Sequence, residues 1–114
     1  MQKAKAITKY IRISPLKARL AADLIRGKGV VEAKAQLQFC GLKAGRLLTK
    51  TLDSAVANME QQSEVKREHM RVSEVKVDEG PRLKRAKARN KGGRSPILKR
   101  MSHFTIVIES ELKE

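Results

Sequence analysis

From Gly80 to Ile108 the chain carries no acidic residue, while Arg82, Lys84, Arg85, Lys87, Arg89, Lys91, Arg94, Lys99 and Arg100 crowd into its first part. Its basic run, Arg82 to Arg100, repels itself when alone in water. Burying like charges without counter-charges costs more than the neighbouring apolar contacts return. Composition alone would equally suit a disordered basic arm. The flanks argue otherwise: Val72, Val75 and Val77 precede the basic run, and Phe104, Ile106 and Ile108 alternate after Arg100. Gly92-Gly93 lies near its middle and reads as a hairpin turn. The expectation is a basic β-hairpin launched by two strands. Arms of about 10 residues at roughly 3.3 Å each reach about 30 Å. A chain of this length has a radius of gyration of roughly 13–14 Å, so the tip projects into something that neutralises it.

The rest of the charge is also segregated. Residues 1–50 hold twelve basic and two acidic side chains, residues 51–79 four and seven, residues 80–100 nine and none, and residues 101–114 one and three. Together these make the net +14 of the whole chain. Two basic zones alternating with two mildly acidic ones describe a binding face for a polyanion. With 114 residues, 40% of them hydrophobic, one domain over 1–114 is expected, the hairpin forming its 80–103 portion.

Several kinds of chemistry are missing. Cys40 is the single cysteine, so no intrachain disulfide or cysteine-rich zinc site is expected. His69 and His103 lie far apart in sequence, without a ligand cluster, and no catalytic set accompanies them. Glu60, Glu64, Glu68 and Glu74 read as solvated faces rather than a metal site. Gly27-Lys28-Gly29 lacks the spacing of a phosphate loop. Residues 1–15 have no continuous apolar run, so they do not read as a secretory signal, and no run is long enough for a membrane helix. No metal, cofactor, small-molecule substrate, enzymatic activity or membrane is expected.

The remaining elements follow from periodicity. Lys3 to Ile13 reads as a strand, with Ile7, Ile11 and Ile13 on one parity and Ala4, Ala6 and Tyr10 on the other. Ser14-Pro15 starts a helix, Ser as N-cap and Pro at the first position. Leu16, Leu20 and Leu24, with Ala21 and Ile25 beside them, form its expected apolar stripe, and Gly27 its stop. Val30 to Phe39 reads as a short second helix with Val31, Ala35, Leu37 and Phe39 on its apolar side; Gly41 interrupts it. Leu48, Leu52, Ala55, Val56 and Met59 mark a long third helix over about 42–61, in which Gly45 is a weak point. Residues 64–71 read as a connector. The expected fold is α+β: three helices packed on a small antiparallel sheet, with a long protruding β-hairpin.

Tyr10, Phe39 and Phe104 are the only aromatics. Three rings do not supply both a core and a stacking platform for single strands. Lys/Arg contacts to phosphates and recognition of shape suit the composition better. No helix carries the Asn/Gln/Arg cluster with which a helix-turn-helix protein reads base edges.

Three sets of residues together resemble a known family. Ile13-Ser14-Pro15-Leu16-Lys17-Ala18-Arg19 with Ala22-Asp23-Leu24-Ile25-Arg26-Gly27-Lys28 is similar to the first-helix signature of large ribosomal subunit protein twenty-two, bacterial type. Ser54-Ala55-Val56-Ala57-Asn58 resembles its long-helix motif. Val77-Asp78-Glu79-Gly80-Pro81, Leu83-Lys84-Arg85 and Ile97-Leu98-Lys99-Arg100-Met101-Ser102-His103 resemble its hairpin. The likeness runs in order from about Lys3 to Glu109. The chain departs from the family pattern at Ala88, Pro96, Gly41 and Gly45. Pro96 removes a ladder donor and is expected to shorten the pairing near the tip.

The resemblance implies a structural constituent of the large subunit that binds its rRNA, aids assembly, and lines the nascent-peptide exit tunnel with the hairpin tip. It implies rRNA contact at Ser14, Lys17, Arg19, Arg26 and Lys28, and at Arg82, Lys84, Arg85, Lys87, Lys99 and Arg100 on the hairpin. It makes Arg89, Asn90, Lys91, Gly92, Gly93 and Arg94 the tip. The implied partners are large-subunit rRNA, neighbouring ribosomal proteins and the nascent peptide. The implied location is a ribosome, in the cytoplasm or an organelle.

Overall fold

Val72, Val75 and Val77 are spaced by three and then two, so a regular strand would send one of them to the wrong face. A bulge resolves the conflict. In the computed structural model, which describes the backbone over residues 2–88 and 94–110 and side chains over 3–82 and 99–110, the register of this strand shifts between Val72 and Glu74. All three valines are buried as a result. Ser73 Oγ at the bulge donates to the Val107 carbonyl at 3.1 Å.

The elements in chain order are β1 (Gln2–Ile11), α1 (Pro15–Ile25), α2 (Val30–Phe39), α3 (Lys43–Gln62), a 3-10 turn (Arg67–His69), β2 (Met70–Glu79), β3 (Leu83–Ala88), β4 (Arg94–Lys99) and β5 (Ser102–Ser110). β1, β5 and β2 form one antiparallel sheet with β5 in the centre. β3 and β4 form a second, two-stranded sheet. The α+β expectation is met: three helices, a small antiparallel sheet and a basic hairpin. The third helix buries Leu48, Leu52, Ala55, Val56 and Met59 together, as its periodicity predicts. β2 starts two residues before Val72, taking up part of the expected connector.

Four local expectations are corrected. In α1, Leu16 and Leu20 are 65% and 63% exposed and Leu24 is half-buried. Of the expected stripe Ala21 and Ile25 are buried, and Ala18 and Ala22 rather than the leucines complete the buried face. Both stripes have helical spacing, and the alanine one lets the helix axis lie closer to its neighbours. In α2 the buried residues are Val30, Ala33 and Leu37, leaving Val31, Ala35 and Phe39 exposed. In β1, Ala4 and Ala6 face inward and Ile7 outward, and then the parity switches so that Ile13 is buried. The switch is a bulge between Thr8 and Ile11, with Tyr10 at φ 61°. That conformation costs a bulky residue about 1–3 kcal/mol. The Tyr10 N–H donates to His103 Nδ1 at 3.0 Å, and the two rings meet edge-on with centroids 5.1 Å apart. Finally, Pro96 does not end the hairpin ladder: Ala86 pairs with Pro96 and the register continues to Ala88 with Arg94. Both strands of a two-stranded ribbon are edges, where a missing N–H is tolerated.

Most buried side-chain polar groups of the body are paired, the Ser110 hydroxyl excepted. Ser102 Oγ donates to the Ile13 carbonyl at 2.7 Å, and the Thr8 and Thr51 hydroxyls lie 2.9 Å apart. Glu109, buried in β5, accepts from Arg71 Nε at 2.6 Å across the β2–β5 ladder. Asn58 Nδ2 donates to the Lys5 carbonyl at 3.0 Å, tying α3 to β1.

Gly45 is a packing requirement rather than a weak point. A Cβ there would lie 2.6 Å from the Leu37 carbonyl oxygen and 2.6 Å from Cys40 Sγ. Cys40 is half-buried and held in place by its own bond to that carbonyl, 3.2 Å long. Alanine offers about 1 kcal/mol of helix propensity over glycine, but overpacking against backbone costs about 1–3 kcal/mol. Gly45→Ala should therefore destabilise the free protein by about 1–2 kcal/mol. Urea unfolding measures this, and a higher midpoint for the variant would contradict the packing account.

Candidate RNA interface

The hairpin continues the β2–β5 pair. That ladder ends at Glu79 opposite Ser102, and the β3–β4 ladder begins at Leu83 opposite Lys99. Between them the Gly80 N–H donates to the Met101 carbonyl at 2.8 Å. The break leaves the two strands running outward together. The molecule measures 72 × 25 × 16 Å with a Cα radius of gyration of 17.4 Å. A globular chain of this length would give roughly 13–14 Å.

At the foot of the hairpin lies an open cavity of about 760 Å³. The segment before α1 brings Arg12 and Ser14, α1 brings Lys17, the start of α3 brings Lys43, and the end of β4 with its following residue brings Lys99 and Arg100. Among the described residues no acidic side chain lines it. Lys43 Nζ reaches the Arg12 carbonyl at 3.4 Å, which places the two basic segments side by side. Ser14 sits at the N-cap position, but its hydroxyl makes no capping bond; its carbonyl accepts the Ala18 N–H at 3.1 Å. The cavity thus gathers Ser14, Lys17, Lys99 and Arg100 from the expected set. Arg12 and Lys43 were missed. Nothing in the local pattern marks them, because only the tertiary fold brings the two segments to the hairpin.

Arg19, Arg26 and Lys28 lie elsewhere, along the outer edge of β2. Arg19 donates to the Val77 carbonyl through Nε at 3.3 Å and Nη2 at 3.1 Å. Arg26 Nη2 donates to the Val75 carbonyl at 3.0 Å, and its Nη1 meets Asp23 Oδ1 at 2.5 Å. The Lys28 carbonyl accepts the Val72 N–H at 2.8 Å, and the Gly27 N–H donates to the Val72 carbonyl at 3.0 Å. These groups cover a strand edge that would otherwise offer unpaired carbonyls.

On the hairpin, Lys84, Arg85 and Lys87 stand on β3 opposite Leu98, Ile97 and Ser95, and Arg94 opens β4. Arg89, Asn90, Lys91, Gly92 and Gly93, and with them the expected turn, lie outside the described residues. At the base, Arg82 Nε donates to Glu79 Oε1 at 2.8 Å. That hydrogen bond, then the Arg82 charge, hold the Glu79 carboxyl below its ordinary value, with smaller help from Arg100 and Arg19.

Two predictions follow from this division of labour. Lys17→Ala should leave the unfolding midpoint unchanged and lower RNA affinity. Arg19→Ala should lower stability by about 1 kcal/mol, because a carbonyl on the β2 edge loses its donor. Equal stability of both variants would remove the edge-covering role. Because the folded Glu79 value is depressed, its contribution is full above the unfolded value and is lost as pH falls through the folded one. In an NMR titration Glu79 should protonate at lower pH than an ordinary glutamate, and Arg82→Gln should move it upward. An unmoved midpoint would refute the pairing.

Residues 6–109 match the family described as ribosomal protein L22p/L17e. The large ribosomal subunit protein uL22 of Protochlamydia amoebophila is 64% identical over 110 residues, spanning 96% of this chain and 99% of that protein. The protein of the same name from Chlamydia muridarum is 57% identical over 104 residues, 91% of this chain and 94% of its own length. That of Chlamydia abortus is 60% identical over 104 residues, with the same coverage of 91% and 94%. A basic hairpin carried outward by the two strands of a small α+β body, and sequence identity along nearly the whole chain, place this protein in the ribosomal protein L22p/L17e family.

Proposed function

We propose that this chain, acting as one unit over 1–114, is a structural constituent of the large subunit of a bacterial-type ribosome in the cytoplasm. It binds large-subunit rRNA through the cavity at the hairpin foot and through the hairpin stem. The tip lines the nascent-peptide exit tunnel, and the wedge so formed aids subunit assembly. Neighbouring ribosomal proteins meet the body, and the nascent peptide passes the tip. The role is binding and positioning, without catalysis.

The observation that carries this reading is the prolonged strand pair with no internal counter-charge. From Gly80 to Ile108 every charged side chain is a Lys or Arg. Phosphates at the crossing of rRNA helices supply the missing charge, and release of their counterions supplies affinity. Arg12, Lys17, Lys43, Lys99 and Arg100 around one cavity extend the same surface onto the body.

Sedimentation of a lysate through sucrose gradients in low and moderate salt tests the assignment. Comigration with the large subunit that survives moderate salt is expected. A peak at the top of the gradient, or one that travels with free DNA, would overturn it and put a DNA-binding regulator in its place. For the isolated protein, affinity for an rRNA fragment should fall on the order of 10³-fold or more between about 50 and 200 mM salt if six or more phosphates are neutralised. A flat salt response would contradict a phosphate-based interface.

A further inference from the structure

The fold leaves two leucines where solvation alone would not put them. Leu20 on α1 is 63% exposed, and Leu42, just before α3, is 42% exposed. Both line the cavity at the hairpin foot. Lys17, Lys43, Lys99 and Arg100 line it with them. The site is therefore amphipathic: apolar side chains stand beside cations and Ser14, with no acid among the described lining residues. Its volume of about 760 Å³ lies within the roughly 300–1,000 Å³ typical of small-ligand sites.

We propose that this cavity holds an unpaired nucleotide of the bound RNA, its base against Leu20 and Leu42 and its phosphates on the surrounding Lys and Arg side chains. A nucleotide matches both halves of the site. Its base has apolar faces that gain by leaving water, and the phosphates on either side of it are anions. Duplex RNA would satisfy only the cations, because its bases are stacked and its backbone faces outward. The scarcity of aromatics rules against a stacking platform, but aliphatic side chains also cover a base face. Recognition then reaches past phosphates and shape to one looped-out base. This rests on the RNA-binding reading above and adds to it a place where single-stranded character is read.

The test compares a short oligoadenylate with an abasic strand of the same length and charge, bound to the full chain. The base-bearing strand should bind roughly fivefold more tightly, about the lower end of what one base contact contributes. It alone should shift the methyl resonances of Leu20 and Leu42. The double variant Leu20→Ser/Leu42→Ser should lose that preference while keeping its affinity for the abasic strand and its salt slope. Leu20→Met/Leu42→Met should retain the preference. Both leucines are substantially exposed, so the variants should fold; circular dichroism checks this, and the wild-type methyl shifts stand without them.

Equal binding of both strands with a steep salt slope would overturn the nucleotide site and leave the RNA-binding reading in place. Absence of binding by either strand would overturn both. A leucine-bearing acidic peptide that shifts the same methyls, where the oligoadenylate does not, would assign the cavity to a protein partner instead.

Discussion

The pairing of β2 with β5 is the interaction on which the rest of this molecule depends. β5 holds the centre of the sheet and buries Phe104, Ile106 and Ile108 against the helices. β2 lies beside it with Met70, Val72, Val75 and Val77 buried. Both strands then continue past the body, so the ladder that organises the core also aims the hairpin. An isolated two-stranded ribbon is marginal in water, and one carrying so many like charges is worse. Anchoring both ends of the ribbon in a packed sheet removes most of the entropy cost of closing it. The Gly80–Met101 hydrogen bond carries the connection across the break between the two sheets.

The body is arranged to keep that ribbon open on the correct edges. β1 occupies one side of β5 and β2 the other, which leaves the outer edge of β2 exposed to unwanted pairing. The turn after α1, Arg19 of α1 and Arg26 just past its end cover it through bonds to Val72, Val75 and Val77. For the arginines to reach, α1 must lie close to the sheet, and a stripe of alanines allows that. Turning the alanines inward turns Leu16 and Leu20 outward. The same rotation that protects the strand edge therefore creates an apolar surface beside the cations at the hairpin foot. Edge protection and the amphipathic cavity are two consequences of one helix orientation.

Most of the fold was legible in the sequence, because its strongest patterns are periodic over several turns. The long third helix repeats its apolar face over three turns, and the closing strand alternates without interruption. The hairpin showed itself by charge, since the nine cations of Arg82 to Arg100 have no acid among them to pair with in a core. What stayed hidden depends on a choice between two equally periodic options, or on a bulge. Leu16, Leu20 and Leu24 and the alanine stripe fit helical spacing equally well, and the larger residues made the wrong one look stronger. In β1 the parity change at Tyr10 depends on a hydrogen bond to His103, far away in sequence. The proposed interface draws on residue types visible in the sequence, the cations near Ser14-Pro15 and at the hairpin stem. Its division was not visible: Arg19 and Arg26 look like Lys17 in sequence, yet they bond to strand carbonyls while Lys17 faces the cavity.

Charge pairing shows why the molecule is completed by a partner. The described ion pairs all use acids of the body: Asp23, Asp53, Glu60, Glu74, Glu79 and Glu109. Only Glu79 touches the hairpin, at Arg82, its first cation. Beyond that point the ribbon meets no acid of its own strands. Adding acids there would stabilise the free protein by relieving repulsion, and would do so by occupying the cations that the proposed interface offers to phosphate. Each internal pair formed on the ribbon would be a contact withdrawn from the polyanion. The steep charge asymmetry along the chain is thus a compromise: the body stabilises itself, and the ribbon is left for an external counter-charge to complete.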